Sequence, residues 1–204
     1  MRYLLTYLFI FTCTTPVFAS VIDLNSWSVS GGGNWTVAND GSNVFQDDNG
    51  APGYFLSDSD YLNTEFNGSF GVETTSDDDF IGFVFGYNNS DDYLLFDWKQ
   101  STQVYNSETA NEGFHLSRIS GTDVNLWNHT GNDLTVLATD LSTTNGWADN
   151  ASYDFTLDYT ATNISIDIDG TNIFDLAGSF GNGKFGFYNY SQSDVRYQGF
   201  EQSI

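Results

Sequence analysis

Three consecutive carboxylates, Asp77-Asp78-Asp79, stand directly before the aromatic run Phe80-Ile81-Gly82-Phe83-Val84-Phe85-Gly86-Tyr87. Oxygen donors gathered in one loop suit a hard cation, and calcium takes about six to eight oxygens from carboxylates, carbonyls and water. Asp77, Asp78 and Asp79 are therefore the candidate metal ligands. Asp47-Asp48-Asn49 forms a second, weaker acidic loop, and Asp58 with Asp60 a third. None has the spacing of a helix–loop–helix calcium site. Adjacent carboxylates repel, so such a cluster is either a solvated acidic turn or a site neutralised by a cation. The sequence leaves both readings standing.

Large aromatics beside polar segments are the other residues able to make contacts. Trp98, Tyr105 and Trp127 are candidates for stacking on a sugar face or anchoring a partner, and Trp147 belongs with them. Each also reads as an ordinary core residue.

Bond-breaking chemistry has little support. The two histidines, His115 and His129, lie in no nucleophile motif, and Gly-x-Ser-x-Gly is absent. Cysteine occurs once, at Cys13, and no His/Cys cluster has zinc-ligand spacing, so the sequence predicts no zinc site. Glycoside hydrolysis needs two placed carboxylates. Glu108 and Glu112 are the one pair of glutamates at close helical spacing, and they fall in a polar stretch. An aspartate pair stays open. The expectation is a binding module and not an enzyme.

The elements that must hold these residues read as β-strands. Ile81, Phe83, Phe85 and Tyr87 alternate onto one face, with Phe80, Gly82, Val84 and Gly86 on the other. Asn88 to Asp92 turns the chain into a second strand ending at Trp98-Lys99-Gln100. Tyr153, Phe155, Leu157 and Tyr159 alternate in the same way, as do Ile164, Ile166 and Ile168, with a hairpin bend at Asp169-Gly170. No segment keeps helical spacing; the most that is expected is a short helical turn over 106–111. Short aromatic runs punctuated by Gly, Asn and Asp predict an all-β sandwich of two antiparallel sheets.

The first residues read differently. Arg2, an apolar stretch from Tyr3 to Cys13 and Val17-Phe18-Ala19 make a secretory signal over residues 1–19, leaving one domain over 20–204. Export implies a secreted or extracellular protein, or a periplasmic one in a bacterial host, without membrane insertion once the signal is removed. The formal net charge of −22 repels nucleic acid and anionic lipid.

The chain also resembles a known family. Trp35-Thr36-Val37-Ala38-Asn39-Asp40-Gly41, Phe66-Asn67-Gly68-Ser69-Phe70, Asp77 to Tyr87 with Trp98-Lys99-Gln100, Trp127-Asn128-His129-Thr130-Gly131, Gly146-Trp147-Ala148-Asp149 and Gly183-Lys184-Phe185-Gly186-Phe187 are similar, in order, to the thrombospondin C-terminal domain. That resemblance implies a concanavalin A-type, L-type lectin-like jelly roll that binds calcium, acts in adhesion outside the cell and lacks catalytic activity. Asp77, Asp78 and Asp79 are the positions it carries over for calcium. The implied partner is an extracellular protein or glycan. A carbohydrate-binding lectin and a polysaccharide-active enzyme are the alternatives on the same fold. The calcium-rich repeats that normally precede this domain are missing from the sequence, as is Arg-Gly-Asp. An Asn stands between Trp127 and His129, where the family usually reads Trp-His-Thr-Gly.

Overall fold

The computed structural model describes residues 20–203, so the expected signal over 1–19 lies outside the described residues. In chain order the strands are β1 Ser20–Val21, β2 Ser28–Gly31, β3 Trp35–Val37, β4 Asn43–Gln46, β5 Gly53–Tyr61 and β6 Thr64–Val72. Then come β7 Phe80–Asn89, β8 Asp92–Lys99, β9 Gln103–Tyr105, β10 Glu108–Ala110, β11 Gly113–Ile119 and β12 Leu134–Asp140. The last are β13 Ala151–Tyr159, β14 Asn163–Ile168, β15 Thr171–Ala177, β16 Gly183–Tyr190 and β17 Val195–Ser203. Among the described residues the one helical element is a single 3-10 turn, Leu24–Ser26.

Two large antiparallel sheets form, beside a two-stranded one made by β9 and β10. One runs β15-β14-β13-β6-β17-β4-β3, with β1 added beside β17; the other runs β12-β11-β8-β7-β16-β5-β2. Their inner faces meet through aromatic rings. Phe83 of β7 lies 5.0 Å from Phe155 of β13, Phe66 of β6 lies 4.8 Å from Phe185 of β16, and Phe187 of β16 lies 4.7 Å from Tyr197 of β17. These rings are buried in one core cluster with Ile81, Phe85, Phe96 and Leu157. Each fully buried large apolar side chain stabilises by about 1.5–3 kcal/mol, and that sum lets the loops stay acidic. The expected sandwich is the observed one.

A second cluster lies on the outer face of the seven-stranded sheet. Phe80, Val84, Leu95 and Tyr188 rise from the strands, and Leu126 and Trp127 close over them from the loop 120–133. Tyr87 belongs here, with Tyr54 and Tyr93, and not with Ile81, Phe83 and Phe85 as alternation predicts. The cause is an irregularity in the β7–β8 ladder between Phe85 and Asn89. Gly86 sits there at φ 55°, a conformation that costs glycine nothing; across it β7 slips by two residues against β8 and by one against β16, and the strand's faces exchange.

The 106–111 segment is likewise corrected. It is the tip and second strand of the β9–β10 hairpin, with Asn106 and Ser107 both at positive φ (49° and 68°). Two successive left-handed residues make the tight turn that suits a two-residue hairpin, so no helical turn forms. Asp169 and Gly170 (φ 49° and 72°) turn the β14–β15 hairpin at the predicted place.

Candidate cation site and recognition groove

Three loops converge at one end of the seven-stranded sheet. The backbone N–H of Ser191 donates to the Gly50 carbonyl at 2.9 Å, the Ser191 hydroxyl contacts Asn49, and the Asn49 amide reaches Asp77. Asp77, Asp78 and Asp79 bring carboxylate oxygens within 4.8 Å of one another. At that separation two unit charges repel by roughly 1 kcal/mol in water-like surroundings and by about 3–4 kcal/mol at an effective dielectric of 20.

Lys99 absorbs part of that repulsion. Its side chain is fully buried, and Nζ donates to Asp79 Oδ1 at 2.6 Å, Asp78 Oδ1 at 3.2 Å and the Asp78 carbonyl at 2.9 Å. The ammonium also stands 5.1 Å from the Trp127 ring centroid and 5.3 Å from that of Phe80, within cation–π range. Asp79 is buried as well. Burial pushes its carboxyl above the usual range, the Lys99 hydrogen bond and charge oppose that, and Asp77 reinforces it. Asp79 is thus committed to an internal ion pair. Asp77 and Asp78 remain partly exposed and line an open cavity of about 340 Å³ with Gln100 and Gln103. Lys99 pairs with Asp78 and Asp79 and leaves Asp77 without a cationic partner, so the cavity keeps room and negative charge for a cation. Asp47 and Asp48 are exposed and stand outside the carboxylate cluster, although Asn49 ties their loop to it.

Beside this cavity runs a groove of about 290 Å³ lined by Asp79, Gln103, Tyr105, Trp127, Tyr190 and Ser191, with Gly50 and Ala51 at its edge. Asp79 stands in its wall, and Gln103 lines both spaces. Tyr105 is 64% exposed at the hairpin tip, and Trp127 is 8% exposed as the groove's inner wall. The two rings lie 6.0 Å apart, edge to face. Trp98 is different. It points into the core at 4% exposure, packed 4.6 Å from Phe114 and 4.5 Å from Tyr153, and its indole N–H is taken by the Asn145 carbonyl. It offers no surface for a ligand, because Trp98 shares the inward face of β8 with Phe96 and Leu94. Trp147 is buried too, donating to the Asp79 carbonyl at 3.0 Å.

A second polar cluster was not foreseen. Asp97, His115 and His129 come together beneath the 120–133 loop, all buried. Cross-strand register sets His115 opposite Asp97, and the loop delivers His129, whose Nε2 lies 2.9 Å from Asp97 Oδ2. Sequence spacing conceals the cluster, since its members come from β8, β11 and a long loop.

Fold and site together define a lectin-like β-sandwich with an acidic rim. The thrombospondin C-terminal region profile matches residues 31–203, and the chain belongs to that family. Thrombospondin-2 of Gallus gallus is 35% identical over 101 residues, covering 50% of this chain and 9% of that protein. Thrombospondin-4-B of Danio rerio is 35% identical over 133 residues, covering 59% and 14%. The chain therefore spans a small fraction of these relatives' lengths. Among solved structures, the carbohydrate binding module CBM66 from Bacillus subtilis superposes with a TM-score of 0.63 at 12% identity, covering 88% of this chain and 96% of its own. The exoplasmic/lumenal domain of VIP36, in its Ca2+/Man3GlcNAc-bound form, gives 0.58 at 12% identity, covering 91% and 87%. Likeness at that identity carries the fold alone.

Proposed function

We propose that this chain is an exported, non-catalytic recognition module that binds calcium at Asp77 and Asp78, with Asp79 and Lys99 beneath, and takes an extracellular ligand in the adjoining groove. The observation that carries the reading is the shared wall: Gln103 and the Asp77–Asp79 loop border both the acidic cavity and the aromatic groove. A cation held by Asp77 and Asp78 would fix that loop and so the groove's shape. Extracellular calcium suits such a site, because rim carboxylates and carbonyls bind hard cations weakly to moderately. Residues 1–19 would direct export and the mature domain would begin at residue 20.

A glycan is the favoured ligand class. Tyr105 presents an exposed ring beside Gln103 and Asp79, which combines an apolar face for sugar C–H groups with acceptors for hydroxyls. The two similar structures named above are a carbohydrate binding module and a domain in a Man3GlcNAc-bound form, which supports the same class. The thrombospondin relatives support adhesion more broadly, with a protein partner as the alternative outcome. Hydrolysis is disfavoured, since Asp79 is the single carboxylate among the groove's lining residues and is paired with Lys99.

The test is a glycan array probed in calcium and in EDTA, with Tyr105→Ala alongside. Tyr105 is exposed, so its loss is expected to weaken binding about tenfold or more without changing the melting temperature. Retention that ignores both EDTA and the substitution would end this reading.

A further inference from the structure

We propose that Asp97, His115 and His129 form a buried site for a zinc-class divalent ion, separate from the acidic rim. The row Tyr188–Gly82–Asp97–His115 crosses β16, β7, β8 and β11 in register on the outer face of the sheet. His129 descends onto that row from the 120–133 loop, held in the left-handed conformation at φ 55°. The His129 Nε2–Asp97 Oδ2 and His115 Nδ1–Asp97 Oδ1 separations are 2.9 and 3.5 Å, and the three donor atoms lie within 4.8 Å of one another. Donors bonded at about 2.0–2.1 Å around a tetrahedral zinc stand about 3.3–3.4 Å apart, so the three side chains are near enough to share one ion once a ring turns.

A second, independent observation points to an occupant. His115 Nδ1, Ser117 Oγ and Tyr188 Oη are buried and make no hydrogen bond among the described residues. Buried polar atoms are rarely left this way, and three on one face around a buried carboxylate mark a place for an ion or ordered water. Two imidazoles and one carboxylate choose between them. Nitrogen donors favour zinc, nickel or copper over calcium, and with three protein ligands a fourth position stays open to water. Asp97, the anion of the set, is fully buried, and the charge of a divalent cation would offset it.

The imidazole rings are stacked, with centroids 3.7 Å apart and 3° between their planes. A bound ion must lie near the plane of each ring, which two stacked planes do not permit. Loading therefore requires one ring, most simply His115, to rotate about its Cβ–Cγ bond and break the stack.

The experiment uses the tag-free chain, stripped with EDTA and returned to saturating calcium so that the acidic rim is filled. Zinc is titrated calorimetrically, and cobalt is added separately to read its visible absorption. The expected result is one zinc per chain, a cobalt spectrum of low-coordinate nitrogen and oxygen ligation, and at least tenfold weaker binding in His115→Gln and in His129→Gln. Asp77→Asn/Asp78→Asn is expected to keep full zinc affinity. Less than a tenth of an equivalent bound by the wild-type chain overturns the proposal, as does a His115→Gln variant that binds equally well. If a variant fails to fold, the wild-type stoichiometry and cobalt spectrum decide alone.

Discussion

At the residue scale Lys99 joins the acidic loop to the groove. Its ammonium is surrounded by Asp79, Asp78 and Gln103 and roofed by Trp127, so one side chain ties the acidic loop to the wall of the groove. Removing one member of a buried ion pair leaves the other charge unpaired, which costs about 3–5 kcal/mol. Lys99→Met is therefore expected to lower unfolding free energy by that amount in urea, and Asp79→Asn in the same chain to recover much of it. Equal stability of Lys99→Met and wild type would contradict this. The carboxylate triplet was legible because its members are contiguous. Its partner was not, although the turn between β7 and β8 was. Pairing back from Asn89 and Asp92 without interruption would set Lys99 opposite Gly82. The irregularity at Gly86 sets it opposite Phe80, next to Asp79. The same long-range geometry hides Asp97, His115 and His129, which no local spacing in the sequence brings together.

At the element scale the strands follow from alternation, because burial on one face enforces a period of two. Where alternation failed, a backbone device intervened: the bulge that moved Tyr87, and the paired positive-φ residues that made 106–111 a hairpin. The eight-stranded sheet carries its own test. Asp158 of β13 stands directly opposite Glu65 of β6. Desolvation raises the Asp158 pKa above its ordinary 3.8, and Glu65 and Asp167 raise it further, an effect that solvent keeps small at this exposed position. A carboxyl with a raised folded-state pKa contributes stability below its unfolded pKa, and that contribution is lost as pH rises through the folded value. At neutral pH the ionised pair thus works against the sheet. Asp158→Asn is expected to stabilise by about 0.2–1 kcal/mol at pH 7, the range for cross-strand pairs. The gain should shrink as pH falls through the carboxylate range, as thermal melts at pH 7 and pH 3.5 will register. A gain that is absent, or constant with pH, would contradict the assignment.

At the scale of the whole molecule a dense aromatic sandwich carries a strongly anionic surface, with a net formal charge of −22. Two sheets supply the rigidity, and one end of the seven-stranded sheet supplies the acidic cavity and the groove. Fold class and family were legible because strand pattern and motif order extend over most of the chain. The ligand was not, because groove-lining residues are drawn from five separated segments. A cation bound by Asp77 and Asp78 would complete the rim, and the melting temperature in calcium against EDTA is the measurement that decides it. A ligand at about 100 times its Kd stabilises by about 2.7 kcal/mol, which for a domain of this size is a rise of roughly 5–10 °C. The expected result is such a rise in the wild type and its loss in Asp77→Asn/Asp78→Asn. Superimposable melts in calcium and EDTA, or a shift that survives the double substitution, would contradict it.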